Sequence, residues 1–311
     1  MKKVFRANMY FLIILLIEIF VPTLLSKIYE YFNLWDIRII LFLNHMILFL
    51  IPAIIYLILT KSSLKETFKF NKLHLKDMFL IILLAFVVQP VMTFFSLIST
   101  FFFNNEIGSF VTDIISTPYL LLLGLVALLP SITEEITIRG IVLSGYEGKN
   151  KYMASIITGL FFGMLHLDPQ QFLYAAVLGF ILALVVRITN SIFASMIIHF
   201  IVNGTSVTMA KAVSYINEVI PISNETAELT LKNIPISEKL ALMMIYGIIA
   251  AIFAVAVFFI IRSLDKINEK KRGGNIGYRN ITYDATEDKM AIIPFVISII
   301  IYLTFMIKTM M

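Results

Sequence analysis

The 311-residue chain contains no cysteine. Disulfides, thiolate metal sites and cysteine nucleophiles are therefore excluded. Charge is scarce as well: 14% of residues are Asp, Glu, Lys or Arg, against 59% hydrophobic, and the mean hydropathy is +0.92. A soluble domain of this length would be far more polar, so a membrane class follows, and one membrane domain can take up the chain. The apolar runs are continuous rather than alternating, which speaks against membrane strands. No small-residue cleavage site precedes Ser26 in "MKKVFRANMYFLIILLIEIFVPTLL", so this run reads as a retained first span. An inverted internal repeat of the transporter kind is also missing. The formal charge of +5 calls for no nucleic-acid partner; basic residues beside spans set topology or meet anionic lipid.

What the chain does have is a series of apolar runs at 8–25, 38–60, 78–102, 119–143, 152–167, 171–187, 191–211, 239–262 and 290–307. The expected fold is all-α, a polytopic membrane bundle of eight or nine transmembrane helices around a buried polar cavity. It divides into N-terminal helices (1–118), a core carrying the polar motifs (119–206), and C-terminal helices and loops (207–311). Lys61, Lys65, Lys69, Lys72 and Lys76 crowd one link, and Arg262 to Lys289 is another basic segment. The link 103–118 has no Lys or Arg, and 212–238 is net acidic. Nine passes from a cytoplasmic N-terminus put the basic links on one side, as a multi-pass protein of the cell membrane requires. The lysines of 61–77 read as topology determinants, and 262–289 as a mobile loop.

Three charges interrupt the fourth run at "LPSITEEITIRG", residues 129–140. The eight Leu and Val residues from Leu120 to Leu129 favour insertion by roughly 4 kcal/mol. Three charges facing lipid would oppose it by about 9 kcal/mol. The charges must face protein, a cavity or an interface. Glu135 and Arg139 are four apart and share a helix face, so they can pair. Glu134 is rotated away by about 100° and lacks that partner. Pro130 removes a backbone hydrogen bond just before the acids. Two more polar sets follow: His166 four residues after Phe162, and Asn203 four after His199. At 1.5 Å per residue, Glu134, His166 and His199 lie roughly 22, 21 and 12 Å into their spans, compatible with one cluster.

A carboxylate in such a cavity can act as general base to a water. A neighbouring imidazole can hold the water or shuttle its proton, and a second imidazole with a carboxamide can donate to an oxyanion. The same residues suit zinc, with Glu134, His166 and His199 as ligands and one position open; Asn203 would be an unusual ligand, which favours an oxyanion role for it. Blander readings stand beside these. Glu135–Arg139 reads equally as a buried structural pair, His199 with Asn203 as helix-packing glue, and His45 as a helix–helix hydrogen bonder. Glu18 in the first span has no partner by sequence.

The motifs EExxxR, FxxxH and HxxxN, here Glu134-Glu135…Arg139, Phe162…His166 and His199…Asn203, resemble those of the CPBP (Abi) family of CAAX prenyl endopeptidases and bacteriocin-processing proteins. The resemblance spans about 119–206 and includes "FGMLHLDPQQFLYAAVLGFILALVVRITNSIFASMIIHFIVNGTS". It implies an intramembrane endopeptidase acting on a membrane-embedded or lipid-anchored peptide or protein. By it, Glu134 activates water with His166 as partner, His199 and Asn203 bind the carbonyl or oxyanion, and Glu135 and Arg139 brace the site. The family is described both as zinc metalloproteases and as metal-independent glutamate-type proteases. Two other classes compete. A proton-coupled transporter also wants intramembrane acids and imidazoles, but paired Gly/Pro-broken helices in matching halves are missing. A non-enzymatic immunity or scaffold protein would keep the fold without the chemistry, against which the motif set is complete.

Overall fold

A computed structural model describes residues 3–219, 234–271 and 285–310. Among these residues every regular element is helical. The helices are α1 (Lys3–Tyr31), α2 (Ile37–Thr60), α3 (Leu64–Phe68), α4 (Leu75–Thr100), α5 (Glu106–Asp113) and α6 (Tyr119–Gly145). They are followed by α7 (Lys151–Leu165), α8 (Pro169–Thr189), α9 (Ile192–Val219), α10 (Ile236–Lys271) and α11 (Ala285–Met310). Eight of these carry a stretch long and apolar enough to cross a bilayer. The run expected at 152–167 is the exception. Its helix α7 has 15 residues, about 22 Å at 1.5 Å per residue, short of a ~30 Å core. It stops inside the bundle, at the turn that carries His166.

That turn is tightly built. Leu167 adopts left-handed backbone at φ 49, uncommon for a leucine. Asp168 caps α8 by accepting from the Gln170 amide at 2.8 Å. The Gln170 side chain donates to Ser96 and Thr100 at 3.1 and 3.0 Å, tying the start of α8 to α4. Helices α7 and α8 then run against each other at backbone contact. A Cβ placed on Gly159 would meet Ala176 O and Phe180 N at 2.7 Å; one on Gly163 would meet Phe172 O at 2.8 Å. Small residues permit this close approach, which in lipid supplies the van der Waals contact that apolar burial does not. Gly159→Leu is accordingly expected to force the pair apart and destabilise the bundle by roughly 1–3 kcal/mol, read from unfolding in detergent.

Helix α1 closes over this unit. Phe11 stacks on Phe161 at 3.8 Å between centroids. Asn8 donates to Ala291 O at 2.8 Å, and Tyr146 donates to Asn8. On one side of the bundle the helix ends are laced by polar contacts. Lys69 donates to Glu147 at 2.7 Å and to Asn190 at 3.1 Å. Ser191 donates to Asn71 O at 2.6 Å. Arg187 donates to the carbonyls of Tyr146, Glu147 and Lys149. Asp77 accepts from Asn268 at 3.1 Å and Lys271 at 2.6 Å. The basic links thus meet on one face.

Lys69 in the basic link is 5% exposed and ion-paired, because α3 folds back and seats Phe68 over Gly140. Two expectations about the links are corrected. Residues 262–271 are no loop but the last turns of α10, fixed through Asp77. Part of the expected outer loop 212–238 is helix, since α9 runs to Val219. The remainder of both loops, 220–233 and 272–284, lies outside the described residues.

Candidate functional site

The site begins with a missing donor. Pro130 has no N–H, so the carbonyl four residues earlier, Val126 O, loses its α-helical donor. Helix α6 widens there into a π turn, Gly124–Leu128. The orphaned oxygen is met from another helix: Asn203 of α9 donates its side-chain N–H to Val126 O at 3.3 Å. The Gly204 face lets the two helices approach, with Leu123 and Ala127 as its nearest neighbours. Helix α2 repeats the device, with π turn Met46–Leu50 two residues before Pro52 and His45 just ahead of it. Such turns concentrate at functional sites. Asn203→Ala should leave Val126 O without a donor and destabilise the protein by about 1–3 kcal/mol; Asn203→Asp, equally unable to donate, should do the same.

One turn beyond Pro130, Glu135 and Arg139 are fully buried. Arg139 Nη1 donates to Glu135 Oε1 at 2.8 Å, and Nη2 donates to Gly179 O at 3.2 Å. Its guanidinium lies 4.2 Å over the Phe162 ring, a cation–π contact. The tight α7–α8 pair thus does more than pack: it brings both Gly179 O and Phe162 within reach of one arginine on α6.

Phe162 is the hub of the imidazoles. Its ring centroid is 4.9 Å from that of His166 and 5.6 Å from that of His199, edge-on in both cases. His166 Nδ1 is 2.8 Å from Phe162 O. A carbonyl only accepts, so Nδ1 carries the proton and Nε2 is left as an acceptor. His199 Nδ1 is 2.9 Å from Glu135 Oε1. The same logic puts its proton on Nδ1, with the carboxylate accepting and Nε2 free. Both rings are therefore held by one nitrogen and present the other.

His199 Nε2 faces Glu134 Oε2 at 3.9 Å. That is beyond hydrogen-bond range and is the spacing at which a single water can bridge two polar atoms. Glu134 Oε2 is itself shielded and has no hydrogen-bond partner. Its side chain is 14% exposed.

The six polar motif residues are thus distributed as follows. Arg139, His166 and His199 contact Phe162, Glu135 joins Arg139 to His199, Glu134 faces His199, and Asn203 sits on the same face of α9 as His199 and is committed by one N–H to Val126. Phe162 is the contact that joins both imidazoles to the arginine. Two further residues border the cluster that no motif named. His45 Nδ1 bonds Thr133 Oγ1 at 2.9 Å across α2 and α6, and it lies within electrostatic range of Glu134 and His199. Glu18 of α1 interacts electrostatically with Glu134 and keeps Oε1 shielded without a partner. Nothing in the spacing of α1 or α2 points at α6, so neither could be placed by sequence.

Among the described residues, no group of three or more His, Asp or Glu side chains converges closely enough to hold a metal ion. The zinc arrangement of Glu134, His166 and His199 does not fit these side chains as they stand.

Residues 116–205, which run from just before α6 to the middle of α9, match the family model described as type II CAAX prenyl endopeptidase Rce1-like. No curated protein and no solved structure matches the chain.

Proposed function

We propose, from the premise that this chain is a CAAX-type endopeptidase of the Rce1-like family, that it cleaves membrane-associated peptides with a water held between Glu134 and His199. The observation that carries this reading is the 3.9 Å gap between Glu134 Oε2 and His199 Nε2, with the carboxylate oxygen shielded and unpartnered. Glu134 is the general base that takes a water proton as the oxygen attacks the peptide carbonyl, and it returns that proton to the leaving amine. His199 Nε2 orients the water. Nε2 does so as an acceptor of the water's second O–H, and Glu135 holds the ring in that tautomer by accepting from Nδ1. Asn203 has a second N–H, beyond the one on Val126, to offer the developing oxyanion. His166 also leaves its Nε2 free, edge-on to the same Phe162 ring. Arg139 holds Glu135 and leans on Phe162.

The substrate is a membrane-embedded or lipid-anchored protein or peptide, entering from the bilayer in which the bundle sits. No step is routed through a metal here, because Glu134, His166 and His199 do not converge on a common point. Cleavage by the purified protein should therefore survive dialysis against a chelator. Comparative peptidomics of membranes carrying wild type or Glu134→Gln tests the function: the variant should accumulate uncleaved precursors that wild type processes. Identical peptide populations in the two membranes would rule the reading out.

A further inference from the structure

A cavity of about 720 Å³ opens among the helix ends on the basic face, away from the acid–imidazole cluster. It lies between the start of α1, the α2–α3 link, and the ends of α6 and α8. Lys3, Arg6, Lys61, Lys65 and Lys69 line it, against Glu66 and Glu147. Lys69 and Glu147 neutralise one another at 2.7 Å and form a braced wall. That leaves four cations and one acid. Among the described residues, none of Lys3, Arg6, Lys61 and Lys65 has an ion-pair partner. Ser63 adds a hydroxyl donor to the lining; the Ser62 and Ser144 hydroxyls beside it donate to Thr60 and to Ile141 O.

The backbone adds an independent observation. Five non-glycine residues among those described have left-handed φ: Asn33, Lys61, Lys69, Leu167 and Asn190. Three of the five, Lys61, Lys69 and Asn190, line this one cavity. Lysine is a poor occupant of that conformation, which glycine or asparagine adopts more readily. Each of the three is the C-terminal cap of its helix, the place where left-handed backbone commonly ends a helix, and these caps bring Lys61 and Lys69 to the cavity lining.

We infer that this cavity binds a phosphate-bearing anion, and that its place among the helix ends selects the headgroup of an anionic phospholipid. Charge calls for an anion, and the hydroxyl and ammonium donors suit phosphate oxygens. The volume is that of a small-molecule site, far more than a bare phosphate fills. Basic pockets between membrane helices recognise anionic headgroups in this way. The inference is independent of the catalytic reading, because no residue of the proposed mechanism lines the cavity.

The test is retention of phosphatidylglycerol by the full-length protein, titrated in detergent and read by native mass spectrometry, with phosphatidylcholine as the neutral control. Lys61→Ala with Lys65→Ala removes two charges and should weaken phosphatidylglycerol binding about thirty-fold, at roughly fivefold per charge. Lys61→Arg with Lys65→Arg should keep it. Lys266→Ala with Lys270→Ala removes two charges from the end of α10 on the same face, outside the cavity, and should leave binding unchanged. If the alanine pair at 61 and 65 fails to fold, Arg6→Gln serves in its place, with about a fivefold loss expected. Equal retention of the two lipids, or an equal loss in the α10 variant, would overturn the inference. Added inorganic phosphate separates the two sources: failure to displace the lipid supports the headgroup, while full displacement keeps a phosphate site but overturns the assignment to lipid.

Discussion

Glu134→Gln lowers peptide cleavage by about a thousandfold while the purified protein melts where wild type does. The two halves of this expectation have separate causes. Loss of a general base typically removes a factor of 10²–10⁴. The carboxylate oxygen concerned, Oε2, has no hydrogen-bond partner, so the amide substitution breaks no hydrogen bond at that atom. Its neighbour makes the contrast. Glu135 accepts from both Arg139 and His199, so Glu135→Gln should lower activity and melting temperature together. Two adjacent glutamates thus give different signatures, one catalytic and one mixed. Equal melting losses in the two variants would contradict the assignment.

Arg139→Met carries the largest expected loss of stability. Arg139 and Glu135 are both 0% exposed. The side chain satisfies Glu135 at 2.8 Å, caps Gly179 O at 3.2 Å and covers Phe162 at 4.2 Å. Removing one member of a buried ion pair leaves the other charge uncompensated, which typically costs about 3–5 kcal/mol. Proteins are stable by only about 5–15 kcal/mol, so a large share of the margin would go. Arg139→Lys keeps the charge but not the planar fork or the stacking, and should fall between wild type and Arg139→Met. Unfolding in detergent checks all three. If Arg139→Met melts like wild type, the pair contributes nothing and the bracing role is wrong.

Much of this site could be read from spacing because its main relations run along single helices. Glu135–Arg139, Phe162–His166 and His199–Asn203 are each four residues apart, and a helix turns such pairs onto one face. The consequence of Pro130 was half legible. A proline abolishes a known backbone donor, so a stranded carbonyl could be expected; that Asn203 would be its new donor depends on how α9 crosses α6. The relations that stayed hidden run between helices. Glu18 and His45 border the cluster only because α1 and α2 close over α6. Lys69 looked like one more loop lysine, and its burial follows from α3 folding back onto Gly140. The span count shows the same division. Apolar runs mark helices, but α7 ends inside the bundle because "HLDPQ" turns the chain there, and hydropathy does not register a turn made in a protein interior.

The most direct test of the central claim is an experimental map of the protein in lipid at a resolution that shows ordered water. The account expects a water within hydrogen-bond distance of both Glu134 Oε2 and His199 Nε2, with His199 Nδ1 on Glu135. Glu134 turned toward lipid, or the two groups separated by an intervening side chain, would contradict it.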